Sequence, residues 1–288
     1  MKWLKKILIG LLVLLLMDMI VALAISFNLK QIIIDGVIRE AITERITKKE
    51  YKAPNDIISD EQIDQVVDDE RVREIMKTPE MQELMNKYLD QTIDGLIDEE
   101  NINEVEIEKD IVNFLKENKS VIEKQVGKEV TDEMLENAVS QLETKDMSNA
   151  YKQAIRNASK NMTKEEKQVL KGYSTIISTK FKIWMFIGIL IDLILIALLQ
   201  KSLYKWIKTF GKTMLVSGVG IVLMSIIVSA IVKGAANINS FNTTNLTITG
   251  VVIAIIGLII VIVYKVVEKI IKKKSEDDLD EISEFSEN

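Results

Sequence analysis

Four long apolar runs constrain this chain more than any other feature of its sequence. Residues 7–27 form a run of 21 with one charge, Asp18, and residues 183–199 form a second, again with one charge, Asp192. Two more cover about 213–232 and 249–267. Each is close to the roughly 20 residues that a helix needs to cross a hydrocarbon core about 30 Å thick. Backbone amides left unpaired in lipid are costly, so each run is read as a helix. The fold class that follows is all-α: a four-span transmembrane helical protein, with an extracytoplasmic helical bundle inserted between spans 1 and 2.

Composition narrows the chemistry. The 288 residues include no cysteine and no histidine, and only two prolines and twelve glycines. Without cysteine there are no disulfides or thiolate sites. Without histidine there is no Ser-His-Asp or Cys-His machinery and no imidazole zinc ligand. These absences point to a non-enzymatic role, with no cofactor, no metal and no catalytic residue expected. The net charge of −6 gives no footprint for nucleic acid. The expected partners are the lipid bilayer and other membrane or envelope proteins.

Lysines set the expected orientation. Lys2, Lys5 and Lys6 precede the first run, and Lys201, Lys205, Lys208 and Lys212 fill the short link between the second and third. Lys265, Lys269, Lys272, Lys273 and Lys274 follow or overlap the fourth. The link at 234–248 carries no charge. This predicts a cell-membrane, multi-pass protein with both termini cytoplasmic and residues 29–181 outside. The organisation is then an anchor span at 1–28, an extracytoplasmic helical domain at 29–181 and span 2 at 182–200. A basic cytoplasmic link at 201–212, span 3 at 213–233, an outer loop at 234–248, span 4 at 249–267 and a tail at 268–288 complete it. The lysine- and isoleucine-rich composition suits a bacterial chain, for which the five formal glycosylation sequons carry no weight. A competing reading of the first run is a signal peptide cleaved after Ala24.

The long insert is helical by pattern. Ile34, Ile38, Ile42 and Ile46 recur every four residues, and Ser59 with Gln62 reads as a capping box. Thr78-Pro79 places a cap and a first-turn proline ahead of Met81, Leu84, Met85, Tyr88 and Leu89. Thr163 with Glu166 forms another capping box, and Val169 to Ile177 is expected to run into the second span without a break. Charge is uneven: residues 56–110 carry 19 acids and 5 bases, whereas 145–182 carry 3 acids and 9 bases. Solvated helix faces explain this, and the basic part is also able to lean on anionic headgroups.

Asp18 and Asp192 are the sharpest candidate site. A charge at mid-membrane costs roughly 2.5–3.5 kcal/mol on insertion scales. At about 1.5 Å per residue, Asp18 lies roughly 16 Å from the inner end of its span and Asp192 roughly 14 Å from the outer end of its own, so the depths match. Two facing carboxylates without a cation would share a proton and act in a proton- or cation-linked step. The structural alternative is a carboxyl that bonds Ser217, Ser225 or Ser229 and fixes helix packing. Ser225 with Ser229, and Gly250 with Ala254, also put small residues four apart, as close packing needs.

Asp90 to Asn101 resembles a calcium loop of the EF-hand type, with oxygen ligands at positions 1, 3, 5 and 9 and Gly95 at position 6. It departs at position 12, where Asn101 replaces the glutamate, and at position 3, where Thr92 replaces aspartate or asparagine. The simpler reading is an acidic helix with Tyr88, Leu89, Ile93, Leu96 and Ile97 on its apolar face. Gly211-Lys212-Thr213 echoes a phosphate loop, but Trp206 stands where the leading glycine belongs. Intramembrane aspartyl proteolysis lacks its Gly-x-Gly-Asp context, since Ile189 and Ile191 occupy both glycine positions. The acidic tail, Glu276 to Glu287, is expected to be disordered.

The layout of one span, an outer domain and three further spans is similar to that of cell-division-type and macrolide-exporter-type ABC permeases. The likeness covers topology only, and only six residues precede the first run. It implies that Lys201–Lys212 acts as a coupling helix; read alone, that stretch is an interfacial amphipathic helix anchored by aromatics. The function expected is an outer helical domain that binds a partner or envelope component. The alternative is a membrane subunit of a transporter using Asp18 and Asp192.

Overall fold

The computed structural model describes residues 2–34, 74–102, 106–126, 129–143, 146–201, 205–235 and 243–286. The isoleucines at 38, 42 and 46 and the Ser59–Gln62 box lie outside the described residues. Among those described there is no strand, and every regular element is a helix. It divides into two compact units: Met1–Leu29 with Ser178–Asn288, and Lys30–Ile177.

The first unit is built on four helices long and apolar enough to cross a membrane. They are α1 (Lys2–Ile33), α8 (Thr179–Gln200), α9 (Lys205–Ala235) and α10 (Thr244–Ser286). Leucines and isoleucines cover most of their surface and stay exposed, as expected where lipid replaces water. Their shared interior is small. Leu16 and Ile20 of α1 meet Ile189 and Ile196 of α8, with Phe210 and Met214 of α9 beside them.

Glycine lets α9 and α10 pack backbone to backbone. A Cβ on Gly218 would stand 2.4 Å from the Ala254 amide nitrogen, and one on Gly257 would stand 2.4 Å from that of Leu215. In lipid no hydrophobic drive separates helix from solvent, so such close approach supplies much of the association. The small-residue pair Gly250 and Ala254 does lie in this seam. Ser225 joins it by hydrogen bonds to Thr243 and Thr247, while Asn28 of α1 donates to Thr249 of α10 at 3.1 Å.

Three expectations fail in this unit or at its edge. The helix leading into the second apolar run is broken, because Ser178 takes an extended conformation and its Oγ accepts from the Phe181 N–H at 3.1 Å. A serine that can cap a new helix competes with continuing the old one. The basic stretch at 205–212 is the first two turns of α9 rather than a separate helix. The acidic tail continues α10 to Ser286 instead of leaving the helix. No glycine or proline follows Gly257, so the sequence places no helix breaker there.

The second unit contains α2 (Pro79–Ile97), a 3-10 turn (Glu99–Ile102), α3 (Ile107–Glu117), α4 (Lys119–Val126), α5 (Asp132–Glu143), α6 (Met147–Asn161) and α7 (Lys164–Ile177). Both capping signals near its ends form as read. Thr78 accepts from the Met81 N–H ahead of Pro79. Thr163 and Glu166 exchange backbone-to-side-chain bonds at 3.2 and 2.7 Å. The core has two parts. Ile34, Met76, Met85, Leu89 and Ile93 form one. Ile102 and Ile155, with Tyr88, Leu96 and Tyr151 against them, form the other.

The stretch that resembled a calcium loop is helix as far as Ile97. Its apolar residues face the two core clusters, and Asp90 takes the Lys30 ammonium. Helical spacing spreads Asp90, Asp94 and Asp98 along a face instead of folding them around one point, so the chain departs from the loop geometry. Among the described residues no group of three or more carboxylates gathers closely enough to hold a metal ion.

Candidate functional site

Asp192 sits on the inner face of α8 between Ile189 and Ile196. It is 2% exposed, and neither carboxylate oxygen has a hydrogen-bond partner among the described residues. Ser217 of α9, 1% exposed, also keeps its Oγ unpartnered. Asp18 is placed differently: it is exposed on α1, two residues from each of the buried Leu16 and Ile20. Two residues is about 200° around a helix, so Asp18 points away from the face that meets α8. Met19, one position on, fills the space beside Gly188. The two aspartates therefore do not face each other. Nor does Asp192 bond the serines expected of it, since Ser225 is committed to Thr243 and Thr247 and Ser217 is unbonded.

The second unit carries an open groove of about 470 Å³ between α2 and α3. From α2 it receives Glu80, Glu83, Leu84 and Lys87, one stripe at helical spacing. From α3 it receives Asp110, Asn113, Phe114 and Glu117, a second such stripe. Leu84 and Phe114 supply apolar surface, and the remainder is mostly acidic. Lys87 is the one cation in this lining, and its ammonium is held by both oxygens of Asp110 at 2.6 Å. Glu80, Glu83 and Glu117 form no ion pair among the described residues, and Glu80 Oε2 is buried without a partner. Three carboxylates thus stay uncompensated along the groove.

Behind it a polar network holds the wall in place. Tyr88 donates to Asp110 at 2.7 Å, and its ring stands edge-on to Tyr151 at 6.0 Å. Burial, then the Asp110 acceptor, pushes the Tyr88 phenol well above the usual range, so it remains a donor. Tyr151 contacts Thr92 and donates to the Tyr88 carbonyl. At the far end Glu108 of α3 meets Ser148 of α6. The Ser148 hydroxyl bonds the Glu108 carboxylate and accepts from the Ile107 N–H, and the Ser148 N–H donates to Glu108 at 2.7 Å.

The groove was not singled out from the sequence, although its two stripes are visible there as acids three or four residues apart beside Leu84 and Phe114. What the sequence could not give is that α2 and α3 flank one groove, joined through Asp110.

Compared with known proteins, the chain matches no family model, no curated protein and no solved structure.

Proposed function

We propose that this is a non-enzymatic, multi-pass cell-membrane protein whose inserted helical domain lies outside and binds a cationic, amphipathic segment of a partner or envelope protein. The observation that carries the reading is the α2–α3 groove, where Glu80, Glu83 and Glu117 form no ion pair among the described residues and flank apolar surface from Leu84 and Phe114. A lysine- or arginine-bearing segment with an apolar anchor complements both features, and charge complementarity of this kind sets partner choice and encounter rate. Lysine placement supports the orientation, with both termini inside.

The absence of cysteine makes the topology easy to test. Single cysteines at Lys152 and Lys269 should react with a membrane-impermeant maleimide in intact cells only at the first. Equal labelling, or the reverse pattern, removes the orientation. A photo-crosslinking residue at Asn113 tests the groove in the same cells. A discrete adduct should form, and Glu80→Lys with Glu83→Lys and Glu117→Lys should abolish it. An adduct unchanged by the reversal defeats the groove as the binding surface.

A transport role is the second reading, and one observation favours it. Asp192 is a buried, unpartnered carboxyl among apolar spans, and such residues commonly mark ion or substrate pathways. Asp18 adds nothing to this reading as a facing partner, since it lies on the exposed side of α1.

A further inference from the structure

A second cavity, of about 450 Å³, opens where the ends of three of the long helices meet the middle of the fourth. Every one of them contributes to it. Lys5 comes from the start of α1, Gln200 from the end of α8, Lys205 and Lys208 from the start of α9, and Tyr264 from α10. Helix ends thus gather three ammonium groups around one space. None of the three forms an ion pair with a carboxylate among the described residues. Lys208 instead stands over the Tyr264 ring, 4.9 Å from its centre, which fixes the ammonium beside the cavity.

The rest of the lining argues for more than a bare anion. Gln200 donates to Thr209 at 2.9 Å, and its Oε1 is buried without a donor among the described residues. A second acceptor, the Glu268 carboxylate, shares the wall, and Ile9 adds apolar surface. Cations for a phosphate, acceptors for neighbouring hydroxyls and an apolar flank occur together in this one lining.

We propose that this cavity binds a phosphate group bearing a hydroxylated substituent, supplied by the headgroup of an anionic phospholipid such as phosphatidylglycerol. Basic pockets between spans favour anionic headgroups because the lysines' like-charge repulsion and partial desolvation are relieved by one phosphodiester. Lysine suits this role as a point charge on a flexible stem. The same chemistry is available from soluble phosphates, so the source has to be separated by experiment.

The full chain is reconstituted in nanodiscs of phosphatidylcholine, with and without added phosphatidylglycerol, and its thermal unfolding is followed. Phosphatidylglycerol should raise the midpoint by roughly 5 °C, the scale expected for a ligand well above its dissociation constant. The triple variant Lys5→Gln, Lys205→Gln, Lys208→Gln should lose that rise. A charge-matched control, Lys6→Gln, Lys265→Gln, Lys269→Gln, removes exposed lysines that do not line the cavity and should keep it. Equal loss in both variants means a diffuse surface attraction and overturns the proposal, as does a rise that survives in the first variant. Stabilisation by inorganic phosphate or glycerol 3-phosphate in phosphatidylcholine discs, without a phosphatidylglycerol effect, overturns the lipid source. Should the first variant fail to fold, Lys205→Gln alone, at an exposed first-turn position, gives the same comparison.

Discussion

Glu108 and Ser148 cap each other's helices. Glu108 lies in the first turn of α3 and accepts from the Ser148 N–H, while Ser148 lies at the start of α6 and accepts from the Ile107 N–H. Each side chain thereby satisfies a backbone donor at the other helix's N-terminus, where four amides have no partner inside their own helix. Losing the serine hydroxyl removes one cap outright and leaves the carboxylate one bond poorer. Ser148→Ala should cost about 1–2 kcal/mol, read as an earlier denaturation midpoint of the full chain in detergent. Ser148→Thr, which keeps the hydroxyl, should recover most of it.

The same contact sets a pH dependence. Desolvation acts to raise the Glu108 carboxyl, but hydrogen bonds donated by Ser148 and nearby backbone outweigh it and hold the group below the usual glutamate range. A carboxylate depressed in the folded state contributes stability that is fully present above its unfolded pKa, about 4.3. That contribution is lost as pH falls through the lower, folded value. The stability difference between the wild type and Glu108→Gln should therefore be largest near neutral pH and shrink below about pH 4.3. A difference independent of pH would mean that the cap does not act through the carboxylate's charge.

Asp94 predicts the opposite sign. Burial, then the neighbouring Asp90 charge, raises its carboxyl, with Lys30 pulling the other way. A raised carboxyl stabilises the fold below its unfolded pKa, and the benefit disappears as pH rises through the folded value. Asp94→Asn should therefore raise the melting temperature at pH 7 and lose that advantage below about pH 4. The gain should be small, since Asp94 is exposed and screened by solvent.

Tight packing between α9 and α10 gives a third contrast. Alanine at Gly218 or Gly257 would drive a methyl into the partner backbone, whereas a Cβ on Gly220 meets nothing within 4 Å. Backbone cannot move aside as a flexible side chain can, so Gly218→Ala and Gly257→Ala should each cost about 1–3 kcal/mol or more. Gly220→Ala should be neutral or slightly stabilising through helix propensity. Thermal unfolding in one detergent ranks all three.

These contrasts show which parts of the molecule were readable from the chain. The four long apolar helices follow from hydropathy, and the caps at Thr78 and Thr163 follow from local side-chain chemistry, because both signals act within a few residues. Breaks between adjoining helices were harder. Ser178 looks like an ordinary helical position until its hydroxyl is seen to start α8. The match in depth between Asp18 and Asp192 was real arithmetic, but depth fixes only one coordinate. Rotation about the helix axis fixes the other, and there the packing of Leu16, Met19 and Ile20 turned Asp18 outward. Pairings across the fold, such as Glu108 with Ser148 or Gly218 with Ala254, depend on which helices become neighbours, and no local pattern carries that.

Asp192 offers the sharpest test of what the first unit keeps at the expense of stability. Its side chain is buried and both oxygens lack partners, a situation that costs on the order of 1–3 kcal/mol for a polar group and more for a charge. Leucine has a similar enough size to fill the space among Leu16, Ile189 and Ile196 without that penalty. Asp192→Leu should therefore raise the unfolding midpoint of the purified protein, whereas Asp18→Leu, on the exposed side of α1, should leave it nearly unchanged. A stabilised protein that keeps its crosslink at Asn113 would make Asp192 a tolerated packing flaw. A stabilised protein that loses that crosslink would place a functional demand on the carboxyl, because natural proteins retain destabilising polar groups chiefly where activity needs them. A fall in stability would mean instead that Asp192 has a partner in the assembled protein, and would refute the account of it as an orphaned group.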